Sequence, residues 1–308
     1  MHLDLIHINT EYGVGLIGVR CSKKYNIPIV YTYHTNLEEY TYYITKGILD
    51  NEAKRLLRKI LRKYCYDVDE VIVPSQDTKL RLQNIGVNKF INVVPTGFDF
   101  TRFLLAKEDK EKCLEIKKTL QITDQNIVLL CLGRIAKEKN FSEVIDNFRI
   151  FLNKTKNYHY KLLMVGDGPF LKYIKKQVEK YHLERNIIFT GKVPLHEIQY
   201  YYAISDIYLN ASTSETQGLT YMEAMASKLI VLTKKAQFLE GVINDNVSGY
   251  YYKDTNEFIS KILKISKLTR SQREEITTTA YKVVDKFSVD NFYKNIIKVY
   301  NRAIRDRF

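Results

Sequence analysis

Short runs of aliphatic and β-branched residues alternate along the chain with longer stretches in which apolar positions recur every three or four residues. The short runs read as strands, the longer stretches as amphipathic helices, and their alternation predicts an α/β fold with parallel sheets. In the first third the predicted strands are Leu3–Ile8, Ile27–Tyr33, Glu70–Pro74 and Ile91–Val94, and Ser75 is placed as the N-cap of a helix running to Gly86 at its C′ position. From Asn126 the pattern restarts more regularly, with strands Ile127–Leu132, Lys161–Val165, Asn186–Thr190, Asp206–Asn210 and Leu229–Leu232. Phe141, Val144, Ile145, Phe148 and Phe151 repeat at helical spacing within Phe141–Leu152, and Pro194 suits the first turn of a later helix. The Lys- and Glu-rich stretch Thr101–Thr123 has no strand signal and reads as a linker with an exposed helix.

That stretch divides the chain into residues 1–100 and 101–285. The front part already holds four predicted strands, yet it is shorter than the ~150 residues a doubly wound domain usually takes. The expectation is a domain incomplete at its N-terminus. No internal repeat or low-complexity tract interrupts the pattern.

Composition narrows the function classes. Of 308 residues, 45% are hydrophobic, enough for a sizeable core, while 48 Lys+Arg against 35 Asp+Glu leave a net charge of +13. No apolar run reaches the ~18 residues of a membrane span, and the N-terminus does not read as a signal peptide, so a cytoplasmic location is expected. Four scattered cysteines without CxxC spacing fit reduced thiols, and six histidines without HxxxH or HExxH spacing give no support for a metal site.

The most informative segment runs from Asn210 to Ala226. It leaves a predicted strand end, passes a small polar turn and opens a helix whose first free N–H groups come from Gly218, Leu219 and Thr220, a natural seat for an anion. Glu215 in the turn and Glu223 inside the helix are two carboxylates that can accept hydrogen bonds from hydroxyl groups. Taken alone, the pair favours the plainer reading, Glu215 as a solvated turn residue and Glu223 as an ordinary surface helix glutamate. Other strand ends point to the same crevice. Gly133-Arg134 with Lys139 follows one strand, Gly166-Asp167-Gly168 the next, and Gly191-Lys192-Val193 the third. Cations and tight glycine turns outside strand carboxyl ends are where open α/β sheets bind ligands.

In order and spacing these motifs resemble the retaining GT-B glycosyltransferases of family 4, across nearly the whole chain. The resemblance implies two Rossmann-like domains, with the first also taking a closing helix within residues 286–308. It further implies roles. Arg134 and Lys139 would hold the donor diphosphate with the Gly218 and Leu219 amides; Glu215 would bind the donor sugar and Glu223 the ribose; Gly166, Asp167, Gly168 and Val193 would frame the base. His34, in Tyr33-His34-Thr-Asn-Leu-Glu38, matches a histidine facing the transferred sugar, and Gly13, in Glu11-Tyr12-Gly13-Val14-Gly15, matches the acceptor-lining segment. Read without the family, His34 at a strand end is as much a loop-stabilising residue as a catalytic one. The wording around His34 is most similar to bacterial glucosyltransferases acting on diacylglycerol. Members carry further strands and a glycine-rich loop ahead of the segment that matches Asp4–Ile8, so an N-terminal truncation is expected.

Residues Lys54–Lys63 carry six cations and no acid, with Leu56, Leu57, Ile60, Leu61 and Tyr64 read on one helical face. Such a helix suits an anionic leaflet, and the same stripe also suits packing against its own domain. Nucleic acid is the rival partner for so basic a chain, but no helix-turn-helix, RRM or zinc-finger pattern accompanies the charge. The expected activity is therefore transfer of a hexose, glucose first, from a nucleotide sugar such as UDP-glucose to a lipid hydroxyl at the inner face of the membrane, with retention and with no metal or other cofactor. The alternatives are a catalytically silent nucleotide-sugar-binding fragment or subunit, and a glycosyltransferase with a polysaccharide or other soluble acceptor.

Overall fold

The protein is described by a computed structural model covering residues 3–38, 41, 45, 50–212 and 214–307. It divides into two compact units, one formed by Met1–Phe98, Glu215–Gln217 and Phe287–Phe308, the other by Asp99–Ser214 and Gly218–Lys286. Both are α/β with parallel sheets.

The first unit is built on a four-stranded sheet in the order β1 (Ile6–Ile8), β2 (Ile29–Thr32), β3 (Glu70–Val73), β4 (Ile91–Val93), every pair parallel. Its strands are apolar on both faces because helices cover both. Ile29, Tyr31, Val71 and Val73 pack with helices α1 (Val14–Tyr25), α2 (Asp50–Tyr66) and α3 (Gln76–Asn84), whereas Val30, Ile72 and Val94 turn the other way onto Ile296, Val299 and Ala303 of the closing helix Val289–Arg305. That helix is also fixed by charge, since Arg302 donates to Glu70 and to Asn92. Ser75 caps α3 by accepting from the Thr78 N–H at 3.2 Å, and Gly86 follows the C-cap with φ 93°.

The second unit is a six-stranded parallel sheet in the order β10-β9-β8-β5-β6-β7, with β5 at Ile127–Leu132, β6 at Tyr160–Val165, β7 at Ile187–Gly191, β8 at Ile207–Asn210, β9 at Ile230–Lys234 and β10 at Tyr250–Tyr252. The chain steps outward from β5 through β6 to β7, then returns to β8 on the other side of β5. This reversal is the topological switch point at which doubly wound sheets open a crevice outside their carboxyl ends. Helix α4 (Phe141–Thr155) buries Phe141, Val144, Ile145, Phe148 and Phe151 against the sheet, and α5 (Leu171–Lys180) and α6 (Ile198–Ala203) follow β6 and β7.

Three readings need correction. The strand Tyr250–Tyr252 was not foreseen; three consecutive tyrosines lack the aliphatic signature, yet Tyr250 and Tyr252 are fully buried. Within Thr101–Thr123 lie two helices, Thr101–Leu105 and Lys110–Thr119, rather than a linker with one, and they bury Phe103 and Ile116 while most of the second stays exposed. The apolar stripe of α2 is split: Leu57, Leu61 and Tyr64 enter the core, whereas Leu56 and Ile60 stay in solvent at 61% and 38% exposure.

Candidate active site

The crevice of the second unit is assembled from loops stitched together by main-chain hydrogen bonds. Gly133 N–H donates to Val165 O (3.0 Å), Gly166 N–H to Gly191 O (3.0 Å), and Ile135 N–H to Asp167 O (2.9 Å). This stitching is why glycine is needed at position 166. Its φ is 138°, and a Cβ there would lie 1.9 Å from the Gly133 carbonyl oxygen. The result is a depression of about 250 Å³ whose lining includes Gly133, Arg134, Gly166, Asp167, Lys192 and Val193. Four of the candidate residues, Arg134, Gly166, Asp167 and Val193, thus share one concavity, and Gly168 lies in the same turn.

Lys139 sits on a 3₁₀ turn, Lys137–Lys139, on the same loop as Arg134, whose guanidinium pairs with Glu138. From β8, the strand beside β5, the chain continues through Ala211 and Ser212, and the Ser212 hydroxyl donates to Glu138 O at 3.3 Å. Ser212 and the cationic loop are therefore neighbours. Helix α7 (Leu219–Ala226) then opens on Gly218, an N-cap in the left-handed region at φ 74°. The Gly218, Leu219 and Thr220 amides precede the first bond of that turn, Tyr221 N–H to Gly218 O at 3.1 Å.

Glu223 is not the solvated surface glutamate its position on a short helix allowed. It is 7% exposed, and the Tyr202 hydroxyl donates to its Oε2 at 2.7 Å. Burial pushes its carboxyl up to about 7, although the Tyr202 hydrogen bond and the Arg102 charge both work in the opposite direction. Glu215 is half-buried and belongs with Thr216 and Gln217 to the first unit. There the Thr216 carbonyl accepts from Ser75 Oγ (2.5 Å) and Thr78 Oγ1 (3.0 Å), and the Gln217 carboxamide bonds both the N–H and the C=O of Thr96.

In the first unit, His34 is exposed just beyond β2, and Gly13, with φ 55°, starts α1 after the adjacent β1. Both lie at the carboxyl end of their sheet. Sequence reasoning assigned no supporting role to the residues that brace this edge of the sheet. Glu11 is 7% exposed and accepts from the Tyr31 hydroxyl; His7 is held between Tyr300 Oη (2.7 Å) and Thr32 Oγ1 (2.8 Å), and burial together with the nearby His34 charge lowers its pKa. In the second unit it missed Tyr202, whose only sequence signal is membership of the Tyr200-Tyr201-Tyr202 run. Among the described residues no group of three or more His, Cys, Asp or Glu is arranged to hold a metal ion, and no helix is long and apolar enough to cross a membrane.

A family model described as "Glycosyl transferases group 1" matches residues 114–283, which contain the whole crevice, and one described as "Glycosyltransferase Family 4" matches residues 1–102. The chain is a glycosyltransferase of this family. Its relatives include the alpha-monoglucosyldiacylglycerol synthase of Streptococcus pneumoniae, 34% identical over 98% of this chain and 67% of that protein. A second is the alpha-monoglucosyldiacylglycerol synthase of Acholeplasma laidlawii, 30% identical over 100% of this chain and 79% of that protein. Among solved structures, Anabaena Alr3699/HepE in complex with UDP and glucose superposes with a TM-score of 0.80 at 20% identity, covering 97% of this chain and 77% of that one. The two parallel-sheet units of the glycosyltransferase are those of the GT-B fold, and the loops described above are the strand-end loops of its group 1 unit.

Proposed function

We propose that this glycosyltransferase moves glucose from UDP-glucose to the hydroxyl of a lipid such as diacylglycerol, with retention at the anomeric carbon. The observation that supports it most directly is the switch-point crevice of the second unit, where Arg134, Gly166, Asp167 and Val193 line one depression beside the loop that leads into α7. Chemistry follows from charge. As the sugar–phosphate bond breaks, negative charge grows on the diphosphate, and Arg134, Lys139 and the Gly218 and Leu219 amides supply preorganised positive potential to receive it without a metal ion. Glu223 accepts from the ribose hydroxyls, Glu215 from those of the sugar, and the Gly166–Gly168 turn and Val193 flank the base. His34 and Gly13 serve the sugar and the acceptor.

The lipid acceptor draws support from the names of both synthases and from α2. Arg55, Lys59 and Lys63 are exposed alongside Leu56 and Ile60, giving the helix an outward face both cationic and apolar, suited to an anionic leaflet. Retention agrees with the α-linked products in those names, because the glucose of UDP-glucose is itself α-linked. The test is transfer of radiolabelled glucose from UDP-glucose into extracted lipid. Arg134→Ala is expected to lower the rate by ~10²–10³-fold, the usual cost of one preorganised charge-stabilising donor. Equal transfer by the variant and the wild type would remove Arg134 from the mechanism.

A further inference from the structure

Behind α7 lies a set of buried phenols that packing alone does not require. Tyr202, on the helix Ile198–Ala203, is fully buried with its ring edge-on to Phe103 at 5.7 Å. Its hydroxyl donates to Glu223 Oε2 at 2.7 Å and lies 3.3 Å from the Thr220 carbonyl. Tyr208, on β8, donates to Thr220 Oγ1 (2.7 Å) and accepts from Asn210 Nδ2 (2.9 Å), so two phenols from two elements meet the first turn of α7 from below. Phenylalanine would fill either place with the same shape and no polar atom to desolvate, and an apolar side chain would suit position 223 in so buried a helix. Keeping a phenol and a carboxylate together there instead is costly, because both lose water on burial.

We propose that Tyr202 is the positioning residue for Glu223: its hydroxyl holds Oε2 and fixes the carboxylate so that Oε1 is presented to the ribose hydroxyls of the donor. This rests on the reading of Glu223 as the ribose ligand. A carboxylate free to change rotamer would have to be ordered on binding, whereas one already held by a buried phenol binds a diol without that loss. Arg102, from the helix Thr101–Leu105, is the charge that acts on both members of the pair, and Thr220 and Tyr208 complete the polar groups around the first turn of α7.

The experiment uses the full chain and the Tyr202→Phe variant, with calorimetric titration of UDP and of 2′-deoxy-UDP at pH 7.5. Wild type should prefer UDP. In Tyr202→Phe the affinity for UDP should fall roughly tenfold, the scale of a hydrogen bond to a charged group, while that for 2′-deoxy-UDP changes less than twofold. Equal weakening toward both nucleotides, or an undiminished preference, overturns the proposal. A double cycle with Glu223→Gln guards against a folding defect, because in the glutamine background Tyr202→Phe should no longer change the preference. Should wild type bind no UDP, the donor reading itself fails. The pairing is then tested without ligand by the infrared band of the Glu223 carboxyl, assigned by difference with Glu223→Gln. Loss of the Tyr202 donor should raise its titration midpoint by about one pH unit, since that hydrogen bond favours the charged form, and an unmoved midpoint counts against the pairing.

Discussion

The two sheets of this glycosyltransferase end differently. In the second unit a six-stranded sheet reverses its order at β5 and β8, and its strand-end loops are bonded to one another through backbone groups. In the first unit a four-stranded sheet carries Gly13 and His34 at its carboxyl edge, and their surroundings are secured by side chains, Glu11 to Tyr31 and His7 to Tyr300 and Thr32. Backbone stitching fixes the strand-end loops of the second unit to one another without calling on any side chain. Side-chain bracing leaves a loop whose shape depends on a few polar residues.

The largest expected effect breaks the stitching itself. Gly166→Ala places a Cβ against the Gly133 carbonyl oxygen at a backbone angle that L residues rarely adopt, and Gly13→Ala shares the positive φ but meets open space. Alanine at 166 should therefore destabilise the protein by roughly 3 kcal/mol or more, and alanine at 13 by about 1 kcal/mol, read from denaturant unfolding. Equal losses at the two positions would show that the loop contact carries no weight.

Much of the second unit was legible because its strands are aliphatic runs with glycine turns immediately after them. β5 was read to the residue, and its neighbours β6, β7, β8 and β9 to within one residue at their starts. Ser75 and Gly86 were readable as helix ends because capping is local chemistry. What sequence could not show was burial. Glu223 looks like any helix glutamate until Tyr202, twenty-one positions earlier, is folded against it, and Tyr250–Tyr252 carries no aliphatic signal, its burial following only from pairing with β9 at the sheet edge. In α2 the helical period located an apolar stripe correctly but not its division between core and solvent, which depends on how the helix is rotated on the sheet.

An intermediate effect concerns pH. Glu223 has its carboxyl raised from the ordinary 4.5 to about 7 in the fold, mainly by burial. Between those values the folded state keeps a proton that the unfolded state has released, so the associated stability is fully present below about 4.5 and is lost as pH rises through about 7. The loss is on the order of 3 kcal/mol, because each pH step between the two values is worth roughly 1.4 kcal/mol. Glu223→Gln should therefore raise the melting temperature at pH 8 relative to wild type, narrow the difference at pH 5, and weaken UDP binding. A variant whose melting temperature tracked wild type across the whole range would mean that Glu223 is not held neutral by the fold.

The smallest effect sharpens the contrast from the outside of the first unit. Lys59 and Lys63 lie on the exposed face of α2, while Leu61 between them is buried in the core, so serine at both lysine positions removes charge without disturbing packing. If this face meets an anionic bilayer, Lys59→Ser with Lys63→Ser should weaken co-sedimentation with phosphatidylglycerol vesicles by about 1 kcal/mol per residue, and the difference should shrink in high salt as the charges are screened. UDP affinity should not change, because the loops proposed to hold the donor belong to the other unit. Vesicle binding that is unaltered by the double substitution, or that is equally strong with neutral vesicles, would place membrane contact elsewhere on the protein and leave α2 as a core helix with a solvated back.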